Sequence, residues 1–195
     1  MTQPTAIEVL QTVGYEGFVE SLYNRSGDLS KDFTHAVLGI ITECHEYLTA
    51  TDEVNAIEEA GDLAFYLTAL KQVLDEYSPT DPDAFNSLMD AASKRMTADG
   101  FNIISVYVEW ADLAKRWVGY GKAPTMSSTE LFAEASALVA LVISSGFAAD
   151  AEMSKIILVN VGKLLKRYNG MTFDADRAVN RDLPAERAVL EAHAA

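Results

Sequence analysis

Residues Glu43–Asp62 read ECHEYLTATDEVNAIEEAGD, and they hold two pairs of carboxylates, Glu43 with Glu46 and Glu59 with Asp62. The neighbouring residues belong in a hydrophobic core: Val37, Leu38, Ile40, Ile41, Cys44, Tyr47 and Leu48 surround the first pair, and Leu63, Ala64, Phe65, Tyr66, Leu67, Ala69 and Leu70 follow the second. Residues three apart share a helix face, so each pair is a doublet of like charge. Helices this apolar on several faces are usually buried.

The short turn near LTATDE predicts two antiparallel neighbouring helices. Glu43 lies about seven residues before that turn and Glu59 about eight after it, which at about 1.5 Å per residue sets them at nearly the same height. All four acids then fall within roughly 10 Å along the hairpin. Carboxylates converging in a partly dry groove need a counter-charge, because an unpaired buried ion costs several kcal/mol. A divalent cation meets that need, and a hard, all-oxygen donor set suits Mg²⁺ or Mn²⁺ and not zinc. Bound metal would also let an acidic chain hold a phosphate-rich ligand.

Outward from the hairpin, helical periodicity dominates and no alternating strand pattern is found. Helices are expected over about 5–24, 31–49, 52–77, 83–98, 103–118, 128–145, 150–168 and 184–193, with breaks at RSGDLS, YSPTDPD, ADGFN, GYGKAPTMSS and SSGFAAD. No break is a long linker, so one all-α domain over 1–195 is expected. A degenerate internal repeat is a further expectation. Glu109 and Asp112 in 104–118 fall where Glu43 and Glu46 fall in 38–52, and Glu134 overlays Glu59 while Ala137 stands where Asp62 does. Segment 78–150 is then either an insertion or a second copy that has lost an acid.

The bulk composition narrows the function. The 195 residues carry 15 basic and 29 acidic side chains, a net charge of −14, which opposes direct binding to nucleic acid or an anionic membrane. The single cysteine, Cys44, excludes an internal disulfide and a Cys-based zinc cluster, which fits a reducing cytoplasm. The start MTQPTAIEVLQ has no basic-then-apolar signal pattern, and the weakly polar run Ala135–Ala149 is too short to span a bilayer. A soluble cytoplasmic protein is expected. Cys44 faces the apolar stripe with no base beside it, His45 points away from the acids flanking it, and His35 is read as a packing residue.

Glu43-x-x-Glu46, twelve residues, then Glu59-x-x-Asp62 resembles the ExxE…ExxD signature of the MazG-like, all-α nucleoside triphosphate pyrophosphohydrolases. His35-Ala36-x-Leu38-Gly39 before the first doublet, and Glu58-Glu59-Ala60-Gly61-Asp62 with Tyr66, are similar to the family's context. So is the ending Asn160-x-x-Lys163-Leu164-x-x-Arg167-Tyr168, with Phe173 and AVNRDLPAER at 178–187. The likeness covers roughly 33–70 and 156–190, and 78–150 fits less well.

The resemblance implies cleavage of a nucleoside or deoxynucleoside triphosphate, a purine such as (d)GTP among the candidates, to monophosphate and pyrophosphate. Glu43, Glu46, Glu59 and Asp62 would hold Mg²⁺, which neutralises phosphate charge and acidifies the attacking water. Glu46 or Glu58 would orient or deprotonate that water. Lys163 and Arg167, four apart on one face, would reach the β and γ phosphates, Asn160 sugar or phosphate, and Tyr66 base or phosphate. A homodimer or homotetramer is implied too. Two other classes compete. A carboxylate-bridged di-iron bundle needs Glu-x-x-His on two helices, and no such motif occurs. A non-catalytic helical interaction protein that kept the fold is the alternative from a different class.

Overall fold

The computed structural model describes residues 4–98 and 102–194, so much of the expected break at 98–102 lies outside the described residues. Among them the chain is all-α, a bundle of ten helices with no strand. In order they are α1 Ala6–Thr12, α2 Gly14–Leu22, α3 Leu29–Thr49, α4 Glu53–Tyr77, α5 Pro82–Thr97, α6 Ile103–Tyr120, α7 Ser128–Ser144, α8 Met153–Tyr168, α9 Ala175–Val179 and α10 Leu183–Ala194. No helix among the described residues is long and apolar enough to cross a membrane.

Local chemistry sets the ends. Asp28 caps α3 through the Ser30 amide and Asp52 caps α4 through the Asn55 amide. Pro82 occupies the first turn of α5, where a missing N–H costs nothing. Ser127 and Glu130 close a reciprocal capping box on α7. Gly121 ends α6 in the left-handed region, φ 64°. The expected helix over 5–24 is instead two, because Gly14 takes φ 70° and turns the chain between α1 and α2. The short α9 was not expected from the sequence.

α4 is the central helix, in contact with α2, α3, α7, α8 and α10. Its Leu63, Leu70, Val73 and Leu74 are fully buried, each contributing on the order of 1.5–3 kcal/mol. Phe33 ties α3 to α6 by packing against Trp110 and Trp117, with ring centres 6.3 Å and 5.0 Å away. A second apolar cluster of Val9, Phe18, Leu22, Val161, Leu164 and Leu165 seats α1 and α2 on α8.

α6 and α7 do not lie side by side as α3 and α4 do. α6 lies on α3, whereas α7 lies between α5 and α4. Glu109 is exposed, Asp112 pairs with Lys115, and Glu134 pairs with Arg95 at 2.7 Å. Burial raises the Glu134 carboxyl, Arg95 opposes that and the charge of Glu109 adds to it, as Glu59 adds to the rise of Glu43.

Candidate functional site

α3 and α4 run antiparallel around the turn at 50–52, and this sets the height of each acid. One carboxylate oxygen from each of Glu43, Glu46 and Glu59 lies within 4.8 Å of the others. Glu46 is exposed, while Glu43 and Glu59 are half-buried. No salt bridge among the described residues involves any of the three. One turn away, Gly39 lets the two helices close: a Cβ there would stand 2.3 Å from the Tyr66 ring.

The fourth acid of the doublets is held differently. Asp62 accepts from Asn160 Nδ2 at 2.8 Å and from Lys163 Nζ at 2.5 Å. The Lys163 side chain is fully buried and also reaches Glu58 at 3.4 Å. Asn160 is 1% exposed, and its Oδ1 accepts from the Tyr15 hydroxyl at 3.2 Å, so its amide is turned toward Asp62. Lys163 and Asn160 thus both bond to Asp62, in addition to the substrate contacts that the resemblance implies for them. A helical face tells which side chains share a side, not how deep that side is buried.

α4 and α8 meet closely at this point. A Cβ on Gly61 would lie 2.7 Å from the Asn160 Cβ. We expect Gly61→Ala to push Asn160 off Asp62 and cost about 1–3 kcal/mol, as over-packing does. A thermal melt measures it, and an unchanged melting temperature would remove Gly61 from the site's support.

Counting charge around the site isolates the unmet need. Lys163, Arg167 and Arg181 face Glu58, Asp62 and Glu186 in ion pairs of 2.5–3.4 Å. These cations and anions match one for one, which leaves Glu43, Glu46 and Glu59 without a cation. Burial, then the charges of Asp62, Glu46 and Glu59, hold the Glu43 carboxyl well above the usual carboxylate range, against the pull of Lys163. Burial and Asp62 raise Glu59 as well, with Lys163 again opposing. Three oxygen donors this close and this poorly compensated fit a hard divalent cation.

Both carboxyls ionise near 4.5 in the unfolded chain and higher in the folded one. Their contribution is neutral below the unfolded value and becomes destabilising as pH rises from there through the raised folded values. Asp32 and Glu186, held below the usual range, have delivered their share by pH 5. His35, lowered by burial, works the opposite way to Glu43 between pH 5 and 7. We therefore expect metal-free Glu43→Gln to lose less stability than the parent between pH 5 and 8, and Mg²⁺ to raise the parent's melting temperature most at pH 8. Parallel melting curves in chelator would refute this.

The acids line a cleft of about 440 Å³, with residues of α2, α4, α8 and the segment after α8 among the rest of its lining. Its apolar wall is aromatic: Phe65, Tyr66, Tyr168 and Phe173 line it, with His35. His35 is stacked on Tyr23 at 4.9 Å and meets Tyr66 edge-on at 5.7 Å. Arg167 and Arg181 stand in the lining too. Arg181 lies within the stretch 178–187 singled out in the sequence, yet only the chain's return after α9 brings it to Glu58. Cys44 is buried in the core and His45 is exposed. No family model matches the chain, and no curated protein or solved structure matches it.

Proposed function

We propose that the chain is a Mg²⁺-dependent nucleoside triphosphate pyrophosphohydrolase, the reading that the MazG-like motifs suggest. The observation that carries it is the uncompensated trio Glu43, Glu46 and Glu59 opening onto a cleft that also contains arginines and an aromatic wall. A magnesium nucleotide has the same three parts: metal, anionic phosphates and a flat base.

Glu43, Glu46 and Glu59 would hold the metal, with Asp62 set beside them by Lys163 and Asn160. When bound, Mg²⁺ supplies neutralisation of phosphate charge and a more acidic water. Glu46 is exposed and outside any ion pair among the described residues, so it is the better placed group to orient the attacking water. Glu58 is committed to Lys163 and Arg181. The aromatic wall suits stacking on a purine, and a (d)GTP-like substrate is the first to try. Assembly as a homodimer or homotetramer belongs to the same proposal.

The test is a panel of standard and modified NTPs and dNTPs with Mg²⁺ or Mn²⁺, read as pyrophosphate released. Release from at least one nucleotide, stopped by chelator, is expected. No release across the panel would favour a non-catalytic helical interaction protein.

A further inference from the structure

The hydrogen bonds that hold Asp62 run out of the cleft, through α8 and into α2. Asp62 is held at both oxygens: Asn160 Nδ2 donates to Oδ1 at 2.8 Å and Lys163 Nζ to Oδ2 at 2.5 Å. Asn160 Oδ1 in turn accepts from the Tyr15 hydroxyl at 3.2 Å, and that hydroxyl also lies 3.5 Å from the Gly61 carbonyl oxygen. Neither Asn160 nor Tyr15 is among the residues that line the cleft. Gly14, with φ 70°, opens α2 one residue before Tyr15 and gives that helix its own direction. The Tyr15 ring packs against both apolar clusters of the core and stacks on Phe18 at 6.5 Å.

The direction of each bond in this chain is fixed by chemistry. A carboxylate accepts and does not donate, so the Asn160 NH₂ group faces Asp62 and its carbonyl oxygen faces α2. Buried there, that oxygen needs a donor, and the Tyr15 hydroxyl supplies it. The last side-chain torsions of Asn and Asp have only broad, shallow preferences. The bonds at their ends, and not rotamer wells, therefore decide where the Asn160 amide and the Asp62 carboxylate point. After burial, the charge of Asp62 is what raises Glu43 and Glu59 most. The aim of its carboxylate thus sets the field that a cation meets among the three acids.

We propose that Tyr15 is a positioning residue for the metal site: through Asn160 it fixes the Asp62 carboxylate beside Glu43, Glu46 and Glu59, and so sets the affinity for a hard divalent cation. Standing outside the cleft, it acts through Asn160 and not on a bound group. Partners that hold a metal ligand from its far side typically govern metal affinity by about 10–100-fold. The inference rests on the metal part of the nucleotide reading and not on hydrolysis, so a metal alone tests it.

The experiment titrates the full chain with Mn²⁺ and reads the free ion by electron paramagnetic resonance. Parent protein binds, and Tyr15→Phe, which keeps the ring and its packing, weakens Mn²⁺ binding about 10–100-fold. Phe18→Leu is the comparison: it loosens the same helix and lowers the melting temperature, yet leaves Mn²⁺ affinity within twofold of the parent. A hydroxyl that only satisfied a buried amide would behave as Phe18 does and cost stability alone. Action through Asn160 has its own signature. In an Asn160→Ala background, where Mn²⁺ binding is already weakened, Tyr15→Phe weakens it no further, and an additional loss of about tenfold there overturns the route through Asn160. If Asn160→Ala does not fold by circular dichroism, the comparison of Tyr15→Phe with Phe18→Leu decides. Mn²⁺ affinity unchanged within twofold in Tyr15→Phe, or lowered equally by Phe18→Leu, overturns the positioning role and leaves the metal site standing. A parent that binds no Mn²⁺ overturns both.

Discussion

Lys163→Met should lower the melting temperature by about 10 °C, the largest stability effect expected from any single substitution at the site. The Lys163 side chain is fully buried and bonds Asp62 at 2.5 Å and Glu58 at 3.4 Å. Removing the lysine strands Asp62 in a poorly solvated groove and leaves Glu58 with Arg181 alone, a loss of about 3–5 kcal/mol. For a chain of this size, each kcal/mol moves the melting temperature by roughly 2–4 °C. Asp62→Asn added to Lys163→Met should recover part of the loss, because the partner charge disappears with it. A double-mutant cycle reads that coupling directly. If the two losses simply add, Lys163 is not compensating Asp62, and the matching of charges around the site is wrong.

Glu59→Gln should reduce Mg²⁺-dependent pyrophosphate release by about 10²–10³-fold or more, the scale of removing one preorganised electrostatic contact. Helix content should persist, since the substitution keeps size and removes a charge that burial already disfavours. The paired signature matters more than either half. A structural residue loses stability when replaced, whereas a metal ligand without a cation costs stability when present. Metal-free Glu59→Gln should therefore melt no lower than the parent at pH 8, while Mg²⁺ no longer raises its melting temperature. A variant that loses stability and activity together would make Glu59 a structural residue.

How far these features are legible before folding differs by kind. The helices announce themselves through Asp52, Pro82, Gly121 and the Ser127–Glu130 box, all local chemistry that periodicity then fills in. The meeting of Glu43, Glu46 and Glu59 is legible too, because a short turn fixes the register of an antiparallel pair. Gly14 hides its break, since a helical pattern continues on both sides of it and only φ 70° reveals the turn. Lys163 shares a face with Asn160 and Arg167 as spacing says, but depth is set by α4 lying on top of it. Arg181 and Glu186 are the least legible. Their roles depend on where the chain after α8 returns, and no local rule encodes that path.

The proposal that water attacks the α phosphorus of a magnesium nucleotide is tested most directly by hydrolysis in ¹⁸O-enriched water, with ³¹P spectra of the products. Nucleoside monophosphate carrying the label and pyrophosphate without it are expected, with turnover abolished by chelator and cut about 10²–10³-fold or more by Glu59→Gln. Label in pyrophosphate or orthophosphate, or no turnover of any nucleotide with Mg²⁺ or Mn²⁺, would contradict it.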